Sequence, residues 1–127
     1  MKLAEVRRFA LALPEATEEP HHELSSFRVR GKIFVTVPPD EDHIHVFASE
    51  PERELALAMY PAWVESLLWG GKVVGVRVRL AGASPSVVQG LVRSAWRFKA
   101  PAALVKAATP SGSPSPAPVK QATRGRR

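Results

Sequence analysis

Phe27-Arg28-Val29-Arg30-Gly31-Lys32-Ile33-Phe34-Val35-Thr36-Val37 is the stretch that decides the fold class. Phe27 and Val29 alternate with Arg28 and Arg30. Gly31 offers a turn, and Ile33, Val35 and Val37 resume the alternation on its far side. Period two on both flanks of a glycine predicts a β-hairpin with one apolar and one polar face. Pro38-Pro39-Asp40-Glu41 closes it, and His43-Ile44-His45-Val46-Phe47 reads as a third strand with Ile44 and Val46 inward. Further on, Gly70-Gly71 forms a turn ahead of a clear strand. Val74, Val76, Val78 and Leu80 share one of its faces, and Arg77 and Arg79 share the other.

Helical spacing brackets these strands. Leu3, Val6, Phe9, Ala10 and Leu13 make an apolar stripe that Pro14 ends. Residues 15–22 read as an acidic loop ending at His21 and His22. Ser49 and Glu52 have capping-box spacing, Pro51 suits a first turn, and the helix they open runs to about Tyr60 before Pro61. Residues 62–69 fit a strand or a helix. Ser84-Pro85 opens the last helix, where Val88, Leu91, Val92, Ala95 and Trp96 face a core and Gln89, Arg93 and Arg97 face elsewhere. No step needs a parallel crossover. The expected fold is α+β: a single domain over residues 1–108, with an antiparallel sheet of about four to five strands and helices packed on one face. Residues 109–127, rich in Pro, Ser, Ala and Gly, read as a disordered basic tail.

Charge is divided unevenly. All twelve acidic residues lie at or before Glu65, against seven bases there. Residues 66–127 hold eleven bases and no acid. Of the net +6, residues 1–108 account for +2 and the tail for +4. A carboxylate-free half cannot neutralise its own cations, so it favours a polyanionic partner, and phosphate backbones are the commonest. No cysteine occurs, which excludes disulfides, thiol catalysis and thiolate metal sites. No apolar run reaches the ~18 residues of a membrane span. The N-terminus does not read as a secretory signal. A cytoplasmic location is expected.

Three stretches resemble the MmcQ/YjbR-like family of small bacterial proteins. The first is Leu11-Ala12-Leu13-Pro14-Glu15-Ala16-Thr17-Glu18-Glu19 with Phe27-Arg28-Val29 and Gly31-Lys32-Ile33-Phe34. The second is Trp69-Gly70-Gly71 with Gly75-Val76-Arg77-Val78-Arg79-Leu80. The third is Ala95-Trp96-Arg97 with Ala100-Pro101. The resemblance covers residues 3–105. The resemblance implies an α+β fold with an antiparallel sheet and a DNA-binding role through winged hairpins. It implies no reaction and no catalytic residues. The tail has no counterpart in the family pattern.

The candidate nucleic-acid-binding residues are the strand and turn cations Arg28, Arg30, Lys32, Lys72, Arg77 and Arg79, Arg93 and Arg97 of the last helix, and Lys120, Arg124, Arg126 and Arg127 of the tail. Cations spaced along a rigid hairpin suit phosphate contact, and a flexible cationic arm raises the encounter rate with a polyanion. The bland reading is a solvated sheet face and a solubilising extension. Convergence of Arg28, Arg30, Lys72, Arg77, Arg79 and Arg97 on one surface would favour nucleic acid. Scatter among the acids would favour the alternative, a small-molecule-binding or protein-interaction domain with a frataxin-like sheet.

Other candidates are weaker. His43 and His45 project from one strand face, but a metal site needs more ligands. Glu15, Glu18, Glu19 and Glu23 lack any accompanying nucleophile or positioned base. Gly70, Gly71 and Gly75 precede a strand, so they do not form a phosphate loop. Trp63 and Trp69 could stack bases or pack, and Trp96 reads as core. The reading is a non-enzymatic protein that binds duplex DNA non-specifically and carries no cofactor.

Overall fold

A two-residue turn builds the first hairpin as expected. Val29 pairs with Lys32, and the Arg30 and Gly31 between them adopt φ of 51° and 80°. Both values lie in the left-handed region that a tight turn of this hand requires. Gly70 and Gly71, at φ 57° and 80°, repeat the device between Trp69 and Lys72. The computed structural model describes residues 1–21 and 23–108. In chain order the elements are α1 (Leu3–Ala12), β1 (Ala16–His21), β2 (Leu24–Val29), β3 (Lys32–Val37), β4 (His43–Val46), α2 (Glu50–Met59), β5 (Val64–Trp69), β6 (Lys72–Arg79), α3 (Pro85–Lys99) and α4 (Ala102–Ala108).

The strands form one antiparallel sheet in the order β1-β2-β3-β4-β6-β5. Residues directly opposite each other project to the same face. Phe27, Val35, Val46 and Val76 are such partners across four strands, and Ile44, Val78 and Val64 across three. They are buried in the core with Val88, Leu91, Val92, Ala95 and Trp96 of α3. Each such aliphatic or aromatic side chain contributes on the order of 1.5–3 kcal/mol by leaving water. Helix α3 lies over β2–β4, α1 packs on α3 and β1, and α2 covers β5 and β6. The indole Nε1–H of Trp96 donates to the Pro14 carbonyl at 3.0 Å, tying α3 to the α1–β1 link.

The other face carries a polar row across all six strands. Its members are Glu19, Ser26, Thr36, His45, Arg77 and Glu65, each opposite the next.

Several expectations need correction. The sheet has six strands, because residues 16–21 form edge strand β1 where an acidic loop was expected. Of residues 62–69, left open between strand and helix, Val64–Trp69 form strand β5. Ile33 does not share a face with Val35. A bulge between the pairs Phe27–Val35 and Arg28–Ile33 inserts Phe34, which is fully buried, and turns Ile33 to the polar face. Ser49 caps α2 through its backbone position, without a side-chain hydrogen bond, so its capping box does not form. Beyond Pro101 the chain continues into α4. His22 and the tail, residues 109–127, lie outside the described residues.

Candidate nucleic-acid interface

Strand direction puts both tight turns at the same end of the sheet. There β3 and β6 run past the end of the short strand β4, which meets β3 only at Val35–Val46 and Thr36–His45. The two hairpin tips therefore stand apart, with Phe47 between them. The result is a cleft of about 420 Å³ whose lining includes Arg28, Lys32 and Ile33 of the first hairpin, Phe47, Trp69 of the second hairpin, and Lys99 from the end of α3. Among the described residues no carboxylate lines it.

The floor is apolar. Phe47 and Leu67 are buried but stand apart from the main core, on the polar face of the sheet. The Trp69 ring meets Phe47 edge-on, with centroids 5.3 Å apart and planes inclined by 62°. Trp69 itself is 51% exposed.

The walls are cationic. Arg28 donates from Nε to Ser26 Oγ at 3.0 Å and from Nη2 to the Pro20 carbonyl at 3.3 Å, which holds its guanidinium along the sheet without a carboxylate partner. Lys32 and Lys72 are exposed at the bases of the two turns. Among the described residues neither they nor Lys99 makes an ion pair. Lys99 Nζ instead sits 5.0 Å over the Phe98 ring.

The remaining candidates fall elsewhere. Arg30 occupies the turn and forms a two-pronged pair with Glu15, in which Nη2 reaches Oε2 at 2.9 Å. This pairing holds the Glu15 carboxyl below its ordinary range. Arg77 pairs with Glu65 at 3.2 Å and Asp40 at 3.5 Å, and also meets His45 Nε2 at 3.3 Å. Burial, with the Arg77 charge beside it, pushes the His45 pKa down. Arg79 donates to the Ala62 carbonyl at 3.0 Å, at the opposite end of the sheet from the cleft. Arg93 lies 5.2 Å over the Phe9 ring, and both Arg93 and Arg97 are exposed on the helix layer. The cations thus do not share one surface. Arg28, Lys32 and Lys72 gather at the hairpin end, where Lys99 joins them. Arg30 and Arg77 are neutralised by carboxylates from the first half of the chain. Lys120, Arg124, Arg126 and Arg127 lie outside the described residues.

Lys99 and Phe47 were not singled out from the sequence. Nothing local marks either: Phe47 follows an unremarkable strand, and Lys99 reaches the cleft from the end of α3, where the packing of the helix on the sheet places it. The metal candidates have other partners. His43 and His45 face Asp40 and Arg77 respectively, and no group of three or more His, Cys, Asp or Glu side chains stands at metal-binding spacing among the described residues.

A family model described as YjbR matches residues 11–98, more than half of the chain. This chain belongs to the YjbR family. The YjbR match takes in Arg28, Lys32, Phe47, Trp69 and Lys72, and stops one residue short of Lys99. Among solved structures, the chain is similar to the crystal structure of Deinococcus radiodurans protein DR2400, described as a DUF419 domain. The two are 16% identical with a TM-score of 0.65, covering 76% of this chain and 77% of that one. At that identity the likeness is one of fold. No curated protein matches this YjbR chain.

Proposed function

We propose that this YjbR-family protein is a non-enzymatic DNA-binding protein that contacts the phosphate backbone without sequence specificity through the hairpin end of its sheet. One observation carries the reading: among the described residues, Arg28, Lys32 and Lys99 border a single carboxylate-free cleft, with Lys72 at the neighbouring tip, and none of the four is ion-paired. Unpaired cations on a rigid support are what backbone contact needs, because each can release a counterion from the DNA on binding. Arg30 and Arg77 contribute less to this reading than the sequence suggested, since each already has a carboxylate.

That same neutralisation favours the competing reading, a small-molecule or protein-interaction domain. A salt series separates the two. Wild type and a Lys32→Ala/Lys72→Ala variant are titrated against duplex DNA by fluorescence anisotropy. The DNA reading predicts that the variant's log–log salt slope is shallower by about two units. Equal slopes, or no binding by wild type at low salt, contradict it.

A further inference from the structure

Phosphate contact uses the walls of the cleft and leaves its floor unexplained. Of the three tryptophans, Trp96 is buried and hydrogen-bonded, and Trp63 is half-buried and stacked on Tyr60 with centroids 5.1 Å apart. Trp69 alone is half open to solvent, and it lines the cleft. It is also positioned. It pairs across the strands with Lys72, and Phe47 meets its ring edge-on. A large aromatic held by packing yet left half uncovered, beside unpaired cations, suits a flat apolar group that carries negative charge nearby.

We propose that the cleft takes up an unpaired DNA base, stacked on Trp69, while Lys32, Arg28 and Lys99 meet the adjoining phosphates. This rests on the DNA-binding reading and specifies the strand state it selects. In a duplex the base faces are covered by their neighbours, so only a single-stranded or frayed segment can offer one to an aromatic ring. Stacking tolerates any base because each presents a π-face. A cleft of about 420 Å³ lies within the range of small-ligand sites, which suits one nucleotide and not a base-paired step. The chemistry on offer, a base with a phosphate, is shared by a free nucleotide. The strand is the occupant proposed, because Lys72 stands beyond the cleft at the neighbouring tip, where a continuing backbone would pass.

The test uses the full chain. Labelled oligothymidylate and a blunt duplex of equal length are titrated by anisotropy at low salt against wild type, Trp69→Ala and Trp69→Phe, with thymidine monophosphate as competitor. Wild type is expected to bind the single strand more tightly than the duplex. Trp69→Ala should lose roughly tenfold on the single strand, in keeping with the cost of removing one stacking partner. It should leave duplex affinity unchanged. A cooperative urea melt with an unchanged slope shows that the variant is folded. Trp69→Phe, which keeps an aromatic face, should recover most of the loss. Thymidine monophosphate should compete only weakly. Duplex binding that depends on Lys32 and Lys72, with no effect of Trp69→Ala on the single strand, overturns the stacking site alone. Competition by the mononucleotide equal to that of the strand overturns the choice of occupant. Absence of binding to either DNA removes both readings.

Discussion

Gly75 of β6 lies directly against the Val46 carbonyl at the end of β4. A Cβ at this position would stand 3.1 Å from the Val46 carbonyl carbon and 3.2 Å from Phe47 Cα, and closer still to the carbonyl oxygen. These neighbours are backbone and cannot swing aside. The close approach seats β6 on the end of β4, where Phe47 floors the cleft between the hairpins. Gly75→Ala is therefore expected to cost about 1–3 kcal/mol, the usual range for overpacking. A urea melt checks it: the midpoint should fall with the slope unchanged.

Arg30 and Lys32 are two residues apart on one hairpin but differ in their partners. Arg30 is held by Glu15, whereas Lys32 has no carboxylate among the described residues. Removing Lys32 should flatten the salt dependence of DNA affinity by about one unit. Arg30→Ala should flatten it by less, because a phosphate must first compete with Glu15. Separate salt titrations of the two single variants make the comparison.

His45 gives the fold a pH dependence whose sign follows from its surroundings. The ring is half-buried between Thr36 and Arg77 on the sheet. Burial lowers its pKa below the ordinary 6.5, the Arg77 and His43 charges lower it further, and Asp40 opposes them. Glu65, across from Arg77, keeps that guanidinium in place at 3.2 Å. A group whose folded pKa is depressed binds its proton more readily when unfolded. Its contribution to stability is therefore present above pH 6.5 and is lost as the pH falls through the folded value. The melting temperature should decline as the pH is lowered through this window. His45→Gln should flatten that part of the profile.

Trp96 anchors α3 twice, by burial of its ring and by the hydrogen bond to Pro14. Trp96→Phe removes the donor, leaves a partly buried carbonyl without it and vacates part of the indole volume. A loss of about 1–3 kcal/mol in chemical denaturation is expected. Because α3 delivers Lys99 to the cleft, DNA affinity of the folded variant should also weaken.

The hairpin around Gly31, the strand from Val74 and the α3 stripe were legible because one apolar face alternates cleanly against one polar face. β1 was not legible for a physical reason. Thr17, Glu18, Glu19 and Pro20 are all exposed, so the strand is held by backbone pairing to β2 and buries no alternating face. In β5 the apolar residues do not follow one face, since Leu67 is buried while Leu68 and Trp69 are exposed, and the extra residue of the irregular pairing, Val74, lies in the partner strand β6. The Phe34 bulge in β3 likewise hides a fully buried phenylalanine behind an apparently regular alternation. Of the candidate interface, Arg28, Lys32 and Lys72 could be read from the sequence as cations on hairpins. The carboxylates facing Arg30 and Arg77 could not, since Glu15 and Glu65 reach them only through strand pairing that the sequence does not declare.

The location of the interface is the central claim, and an amide NMR titration of the full chain with a short DNA tests it most directly. The account predicts shifts concentrated at residues 28–33, at Phe47, at residues 69–73 and at Lys99, all at the hairpin end. Shifts centred instead on Arg79 and the far end of the sheet, or on Arg93 and Arg97 of the helix layer, would contradict it, as would a spectrum that does not change.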